Sequence, residues 1–166
     1  MKVRPLREED AVLMLEWMHD DSVVHDLYTD FSKKTMEDCQ QFIRNSQEDS
    51  ENVNLAIADE KDIYMGTVSL KHIDRKLKCA EFGITVRKAA MGKGYAIDAM
   101  REIFQKAKEE FQLEKIYWCV SQKNLRAVKF YNKHCFAICK EVPTDFLKNY
   151  SEEIKRDLIW YEYKLK

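Results

Sequence analysis

The sequence predicts one α/β domain over residues 1–166, with a mixed, mostly antiparallel sheet of six or seven strands flanked by about four helices. Three observations lead there. Between Asn54 and Val86, strand-length runs are separated by short charged turns, which reads as a meander of half-buried strands. From Ile97 the apolar residues recur at three- and four-residue steps, the period of an amphipathic helix. The remainder then alternates strand-length and helix-length patterns, and such a run after a meander builds a mixed sheet covered by helices.

The elements follow in order. A short strand at Met1–Arg4 is closed by Pro5. Glu8–Asp20 reads as a helix with acidic residues in its first turn and a stripe of Leu13, Met14, Trp17 and Met18. Thr35–Ser46 is a second helix, opened by a Thr35/Asp38 capping box, with Cys39, Phe42 and Ile43 facing inward. Asn54–Ala58, Ile63–Ile73 and Cys79–Val86 are the three meander strands, joined by polar turns at Asp59–Asp62 and Asp74–Lys78. Ile97, Met100, Phe104, Ala107 and Phe111 mark a long helix, Lys115–Val120 a strand, and Asn124–Lys133 a helix carrying Ala127, Val128 and Phe130. Phe136–Val142 and Asp157–Leu165 read as two more strands around a polar insert; the last fits pairing within the chain or across a homodimer.

Composition narrows the function. The formal net charge is -1, with 34% charged and 45% hydrophobic residues, which gives no electrostatic ground for nucleic-acid or membrane-surface binding. Five cysteines at scattered spacing, without a CxxC pair, argue against a disulfide framework or a zinc site and for reduced thiols in a cytoplasm. The four histidines have no ligand spacing, so no metal is expected. The start MKVRPLREED lacks the apolar stretch of a signal peptide, and no run approaches the roughly 20 apolar residues of a membrane span.

The informative stretch is Gly83–Ala96, which joins a strand to the long helix and holds three of the four glycines. Small residues at Gly92, Gly94 and Ala96 let a ligand approach the backbone, and the free N–H groups and dipole of the helix's first turn favour an anion such as a pyrophosphate. The spacing fits neither the GxxxxGK(S/T) phosphate loop nor the GxGxxG dinucleotide fingerprint.

Met91-Gly92-Lys93-Gly94-Tyr95-Ala96 resembles the acetyl-coenzyme A signature Q/R-x-x-G-x-G/A of the GNAT N-acetyltransferases, with Met91 in place of the leading Gln or Arg and Arg87 or Lys88 as the substitute charge. Asn124-Leu125-Arg126-Ala127-Val128-Lys129-Phe130-Tyr131-Asn132-Lys133-His134-Cys135-Phe136 is similar to the family's N-x-x-A-x-x-x-Y-x-K-x-G-F segment, Cys135 replacing the glycine. More loosely, Arg4, Asp10 and Trp17–Asp20 resemble the branch acting on ribosomal-protein N-termini and small amines.

The resemblance implies a GNAT fold and acetyl transfer from acetyl-coenzyme A to a primary amine, on a small molecule or a protein N-terminus, by direct attack in a ternary complex. It implies that main-chain groups of Ile84, Thr85 and Val86 bind the pantetheine arm, that Met91, Gly92, Lys93, Gly94, Tyr95 and Ala96 hold the pyrophosphate, and that Asn124 and Lys133 assist. Tyr131 would protonate the departing thiolate, and Glu81 would deprotonate the incoming ammonium. The competing class is a non-catalytic acyl-coenzyme A sensor with the same fold. Asp20, Asp21, Asp26 and Asp30 form an acidic cluster suited to a cationic acceptor.

Overall fold

In the strand Tyr64–Asp74 of the computed structural model, which describes residues 1–166, Val68 and Leu70 are fully buried on one side while Thr67, Ser69 and Lys71 occupy the other. That alternation divides the sheet into an apolar face and a polar one. Seven strands contribute in the order β1-β2-β3-β4-β5-β7-β6. They span Lys2–Pro5 (β1), Val53–Ala58 (β2), Tyr64–Asp74 (β3), Cys79–Val86 (β4), Lys115–Ser121 (β5), Ala137–Ile138 (β6) and Leu158–Lys164 (β7). Every pairing is antiparallel except β4 with β5.

The helices are α1 (Ala11–Met18), α2 (Asp21–Val24), α3 (Met36–Glu48), α4 (Tyr95–Glu109), α5 (Leu125–Lys133), α6 (Thr144–Leu147) and α7 (Glu152–Asp157). Helices α4 and α5 cover the apolar face, where Ile57, Val68, Phe82, Met100, Ile103, Phe104, Trp118, Tyr131 and Tyr161 share one cluster. Helices α1 and α3 cover the other face over β2 and β3, through Met14, Trp17, Cys39, Ile43, Ala56 and Tyr64. A third cluster, Cys79, Tyr117, Cys139, Phe146 and Trp160, packs α6 over the far end of that same face. The polar residues between these two covers form the floor of a cleft.

Several boundaries differ from the sequence expectation for local reasons. The predicted Glu8–Asp20 helix is a 3-10 turn, Glu8–Asp10, running into α1, and a fresh helix begins at Asp21 because the Asp20 side chain accepts the Ser22 N–H at 3.0 Å. Phe42 is 39% exposed, since the inward face of α3 is set by Cys39 and Ile43. Strand β3 starts at Tyr64 rather than Ile63: Asp62 adopts φ 65° and Asp59 Oδ1 accepts the Ile63 N–H, closing the turn. The strand expected at Phe136–Val142 shrinks to two residues, and the polar insert folds as α6 after Pro143 and α7 capped by Ser151. Strand β7 lies between β5 and β6 of its own chain, so its apolar edges are satisfied internally.

Arg4 and Asp10 are both buried and form a bidentate pair at 2.8 and 2.9 Å, which ties β1 to the turn before α1. Asp62 joins them through Arg4 Nε at 2.8 Å, and Arg7 followed by Arg4 holds its carboxyl well below the usual range. These two residues of the looser resemblance are therefore structural.

Gly66 sits opposite Val86, where β3 and β4 approach closely: a Cβ at Gly66 would stand 2.4 Å from the Thr85 carbonyl oxygen. Gly66→Ala must push the end of β4 outward, and urea denaturation should show a loss of about 1–3 kcal/mol. An unchanged midpoint would mean that β4 is not held there.

Candidate active site

Strands β4 and β5 pair over only three positions, Cys79, Ala80 and Glu81 with Lys115, Ile116 and Tyr117. Beyond Glu81 they separate. Each keeps its outer neighbour: β4 stays paired with β3 to Val86, and β5 stays paired with β7 to Ser121. Phe82–Val86 therefore present to the gap the peptide groups that do not face β3, and backbone donors and acceptors of this kind require partners. Ile84, Thr85 and Val86 lie along this free edge.

The gap opens into a cleft of about 290 Å³ that passes between the two sheet faces. Glu81, Cys119 and Ser121 line it from the polar face, and Trp118, Ala127 and Tyr131 from the apolar one. Residues Asp26–Thr29 and Phe31, from the segment after α2, and Tyr150, between α6 and α7, complete its wall. The structure brings Glu81, Tyr131, Asn124, Ile84 and Thr85 into this one space.

Glu81 is 1% exposed. Its Oε1 accepts the Tyr150 hydroxyl at 2.6 Å and lies 3.7 Å from Lys71 Nζ; Oε2 has no hydrogen-bond partner, with His72 Nε2 at 3.8 Å. Burial, with Cys119 and the Glu81 carboxylate adding to it, pushes the Tyr150 phenol far above its ordinary range, so it stays a donor. Tyr131 is buried on the opposite side of the cleft against Trp118, Phe130 and Tyr161. Burial raises its phenol as well, with no side-chain hydrogen bond opposing the rise.

The loop before α4 takes its shape from glycine. Gly92 has φ 74° and Gly94 φ 82°, values that cost an L side chain, and a Cβ at either would meet nothing within 4 Å. The space over the loop is open, and the first-turn N–H groups of the 15-residue helix α4 face it. Lys93 is exposed beside them, while Tyr95 and Ala96 begin the helix and are half-buried. Asn124 caps α5, its Oδ1 accepting the Ala127 N–H at 3.2 Å, and also lines the cleft. Lys133 ends α5, about 13 Å along the helix axis from Asn124, and is not among the cleft residues.

Arg87 is committed elsewhere: it pairs with Glu16 at 2.9 and 3.0 Å and donates to the Tyr64 carbonyl at 3.1 Å. The cation next to Met91 is instead Arg126, whose Nη1 stands 2.8 Å from the Met91 sulfur. Of the acidic cluster, Asp26 lines the cleft and Asp21 and Asp30 a neighbouring hollow with His19, His25 and Ser32. The Ser22 and Ser32 side chains, and after them their backbone N–H groups, lower the Asp20 and Asp30 carboxyls. No group of three His, Cys, Asp or Glu side chains comes together as a metal set, and no helix is long and apolar enough to cross a membrane.

Sequence reasoning missed Tyr150, Lys71 and Arg126. Arg126 lies inside the motif quoted above, so its position was available; Tyr150 and Lys71 gain meaning only from the fold.

The profile of the acetyltransferase (GNAT) domain family matches residues 1–136. No curated protein sequence matches the chain. Among solved structures, spermidine N-acetyltransferase from Vibrio cholerae in complex with CoA and spermine is 16% identical, covers 99% of this chain and 95% of its own, and superimposes with a TM-score of 0.80. A protein described as a probable acetyltransferase is 19% identical over 98% of this chain and 91% of its own, with a TM-score of 0.78. A chimera involving the Vibrio cholerae enzyme is 17% identical over 99% and 96%, with a TM-score of 0.74.

All five cysteines are free. Burial pushes Cys119 up to about 12, opposed by the Tyr150 hydroxyl, and raises Cys79 and Cys139 each to about 11. Cys39 is raised by burial too, while Cys135 is exposed. The thiolate is the reactive form, so these four remain neutral thiols at pH 8. Titration of native protein with an aromatic disulfide at that pH should show one fast thiol, Cys135, and the other four only after denaturation. Fast reaction of Cys119 would mean that the cleft is more open and wetter than described.

Proposed function

The chain belongs to the GNAT acetyltransferase family and is an acetyl-coenzyme A-dependent acyltransferase, and from that premise we propose that it acetylates a small cationic primary amine by direct transfer in the cleft between β4 and β5. The observation that carries this reading is the β4–β5 separation, which joins a free strand edge, a buried carboxylate and a buried phenol in one space.

The residues present fit coenzyme A. Positive-φ glycines under open space before α4 suit a pyrophosphate, and the free edge of Ile84, Thr85 and Val86 suits the amide groups of a pantetheine arm. Coenzyme A carries the acetyl group as a thioester, which supplies the electrophile and the leaving thiolate. Arg126, propped on Met91, supplies the charge that the loop lacks at its first position, and Asn124 holds the inner end of the arm. Lys93, Gly92, Gly94, Tyr95 and Ala96 form the rest of the cradle, with Lys133 farther out along α5.

Glu81 Oε1 takes the proton of the acceptor ammonium and so frees the lone pair that attacks. The Tyr150 hydroxyl fixes that oxygen in the cleft. Tyr131, kept protonated by burial, donates toward the departing thiolate. Because donor loop and base lie on opposite faces of the sheet, both substrates occupy the gap together, and proximity provides much of the acceleration. Asp26 at the wall supports a cationic acceptor, as does the fold shared with a spermidine acetyltransferase. The free thiols support a reducing, cytoplasmic setting.

Two experiments test this reading. Tyr131→Phe should lower turnover about a hundredfold with coenzyme A affinity unchanged by calorimetry, measured as thiol release on a panel of polyamines and aminosugars. An unchanged rate removes the assigned role, and binding without turnover on any amine favours the sensor class. Arg126→Ala should weaken coenzyme A about tenfold or more, a loss expected of one charge-assisted contact, while pantetheine, which lacks the pyrophosphate, binds as before. Equal weakening of both ligands would place Arg126 away from the phosphates.

A further inference from the structure

Lys71 is the only basic amine among the residues lining the cleft. In the β3–β4 register it stands directly opposite Glu81, and its side chain runs diagonally over Gly83. The missing side chain at Gly83 makes this path available: a Cβ there would lie 3.3 Å from Lys71 Cε and 3.5 Å from Nζ. The amine thus reaches the base of the free β4 edge, with Nζ 3.7 Å from Glu81 Oε1. That separation exceeds a hydrogen bond, while the Tyr150 hydroxyl donates to the same oxygen at 2.6 Å. Lys71 is held near the carboxylate by charge attraction alone, it has no other acidic partner, and its side chain is 40% exposed. A primary amine beside the proposed base, in the space assigned to the acceptor, has the chemistry of a substrate.

We propose that Lys71 is itself an acetyl acceptor and that the protein acetylates this residue within one chain when no external amine occupies the cleft. The inference rests on the donor reading above. Glu81 accepts a proton from the Lys71 ammonium, Nζ forms a bond to the acetyl carbon, and the carbon–sulfur bond breaks. The thiolate takes a proton from Tyr131 or solvent, and the second proton of the attacking nitrogen passes to solvent or back to Tyr131, giving Nε-acetyl-lysine and free coenzyme A. The product amide has no charge to pair with Glu81 and carries two more carbons across Gly83, so the acceptor end of the cleft is filled and the reaction stops after one turnover.

The test is peptide mass mapping of purified protein incubated with acetyl-coenzyme A alone. Lys71 should gain one acetyl group with first-order kinetics whose rate does not change with protein concentration. It should be labelled about a hundredfold faster than exposed Lys33, Lys93 and Lys129, the margin that a positioned base provides. Glu81→Gln should remove that margin, and Lys71→Arg, which keeps the charge beside Glu81, should leave only the slow surface labelling. Labelling of Lys71 at the surface rate overturns the proposal, as does a rate that rises with protein concentration. An unmodified Lys71 in protein that binds coenzyme A by calorimetry overturns it while sparing the donor reading. Absence of coenzyme A binding removes both.

Discussion

The separation of β4 from β5 after three residue pairs is the constraint on which the rest depends. Two strands that part inside a sheet leave backbone groups unpaired, a cost that a folded chain sustains only if both strands are held from outside and the gap is wedged. Both conditions are met. Strand β3 holds β4 to its last residue, with the bare Gly66 allowing the close approach at Val86, and β7 holds β5 along its full length. The wedge is aromatic: Trp118 meets Phe82 edge-on at 5.7 Å, stacks on Tyr161 at 5.7 Å and touches Tyr131 at 5.5 Å. The same ring cluster that keeps the strands apart therefore seats the phenol assigned to proton donation.

The polar side of the gap obeys a different economy. Thr67, Ser69, Glu81 and Ser121 are all buried on strands whose alternate residues enter the apolar core. Each finds a polar neighbour: Thr67 the Tyr64 hydroxyl, Ser69 Asn54, Glu81 Tyr150 and Ser121 Asp157. Only Glu81 keeps an oxygen without a hydrogen bond. A buried carboxylate left half satisfied in an otherwise complete polar floor suits the proton-handling role proposed for Glu81.

Much of this was legible in the order of residues. The meander, the long helix from its three-and-four spacing, and the glycine loop between them follow from local periodicity and backbone chemistry, and each appears within a few residues of its expected place. The separation of β4 and β5 was reachable only through the family resemblance, since no residue type encodes the absence of pairing. Short elements differ from expectation where one residue decides the outcome, as Asp20 does in opening α2 and Pro143 in preceding α6. Tyr150 left no trace at all: its partner is 69 residues away, in a segment that reads merely as polar. Arg87 is near the donor loop in sequence, yet its guanidinium pairs with Glu16 and the Tyr64 carbonyl.

The cleft is assembled from stretches of chain with separate histories of constraint. The strand edge, glycine loop and α5 lie between Glu81 and Lys133 and depend on one another through backbone geometry. The opposite wall joins two remote pieces, the Asp26–Phe31 segment and the tail around Tyr150 to Leu158, bridged by the Tyr28 hydroxyl on Asp157 across 129 residues of sequence. The first piece carries none of the sheet's register, and the second enters it only at its end, where Leu158 pairs with Ser121. A substitution in the donor half therefore disturbs strand pairing or the glycine loop, whereas one in the opposite wall alters the cleft while leaving the sheet intact, save at Tyr150, which holds Glu81.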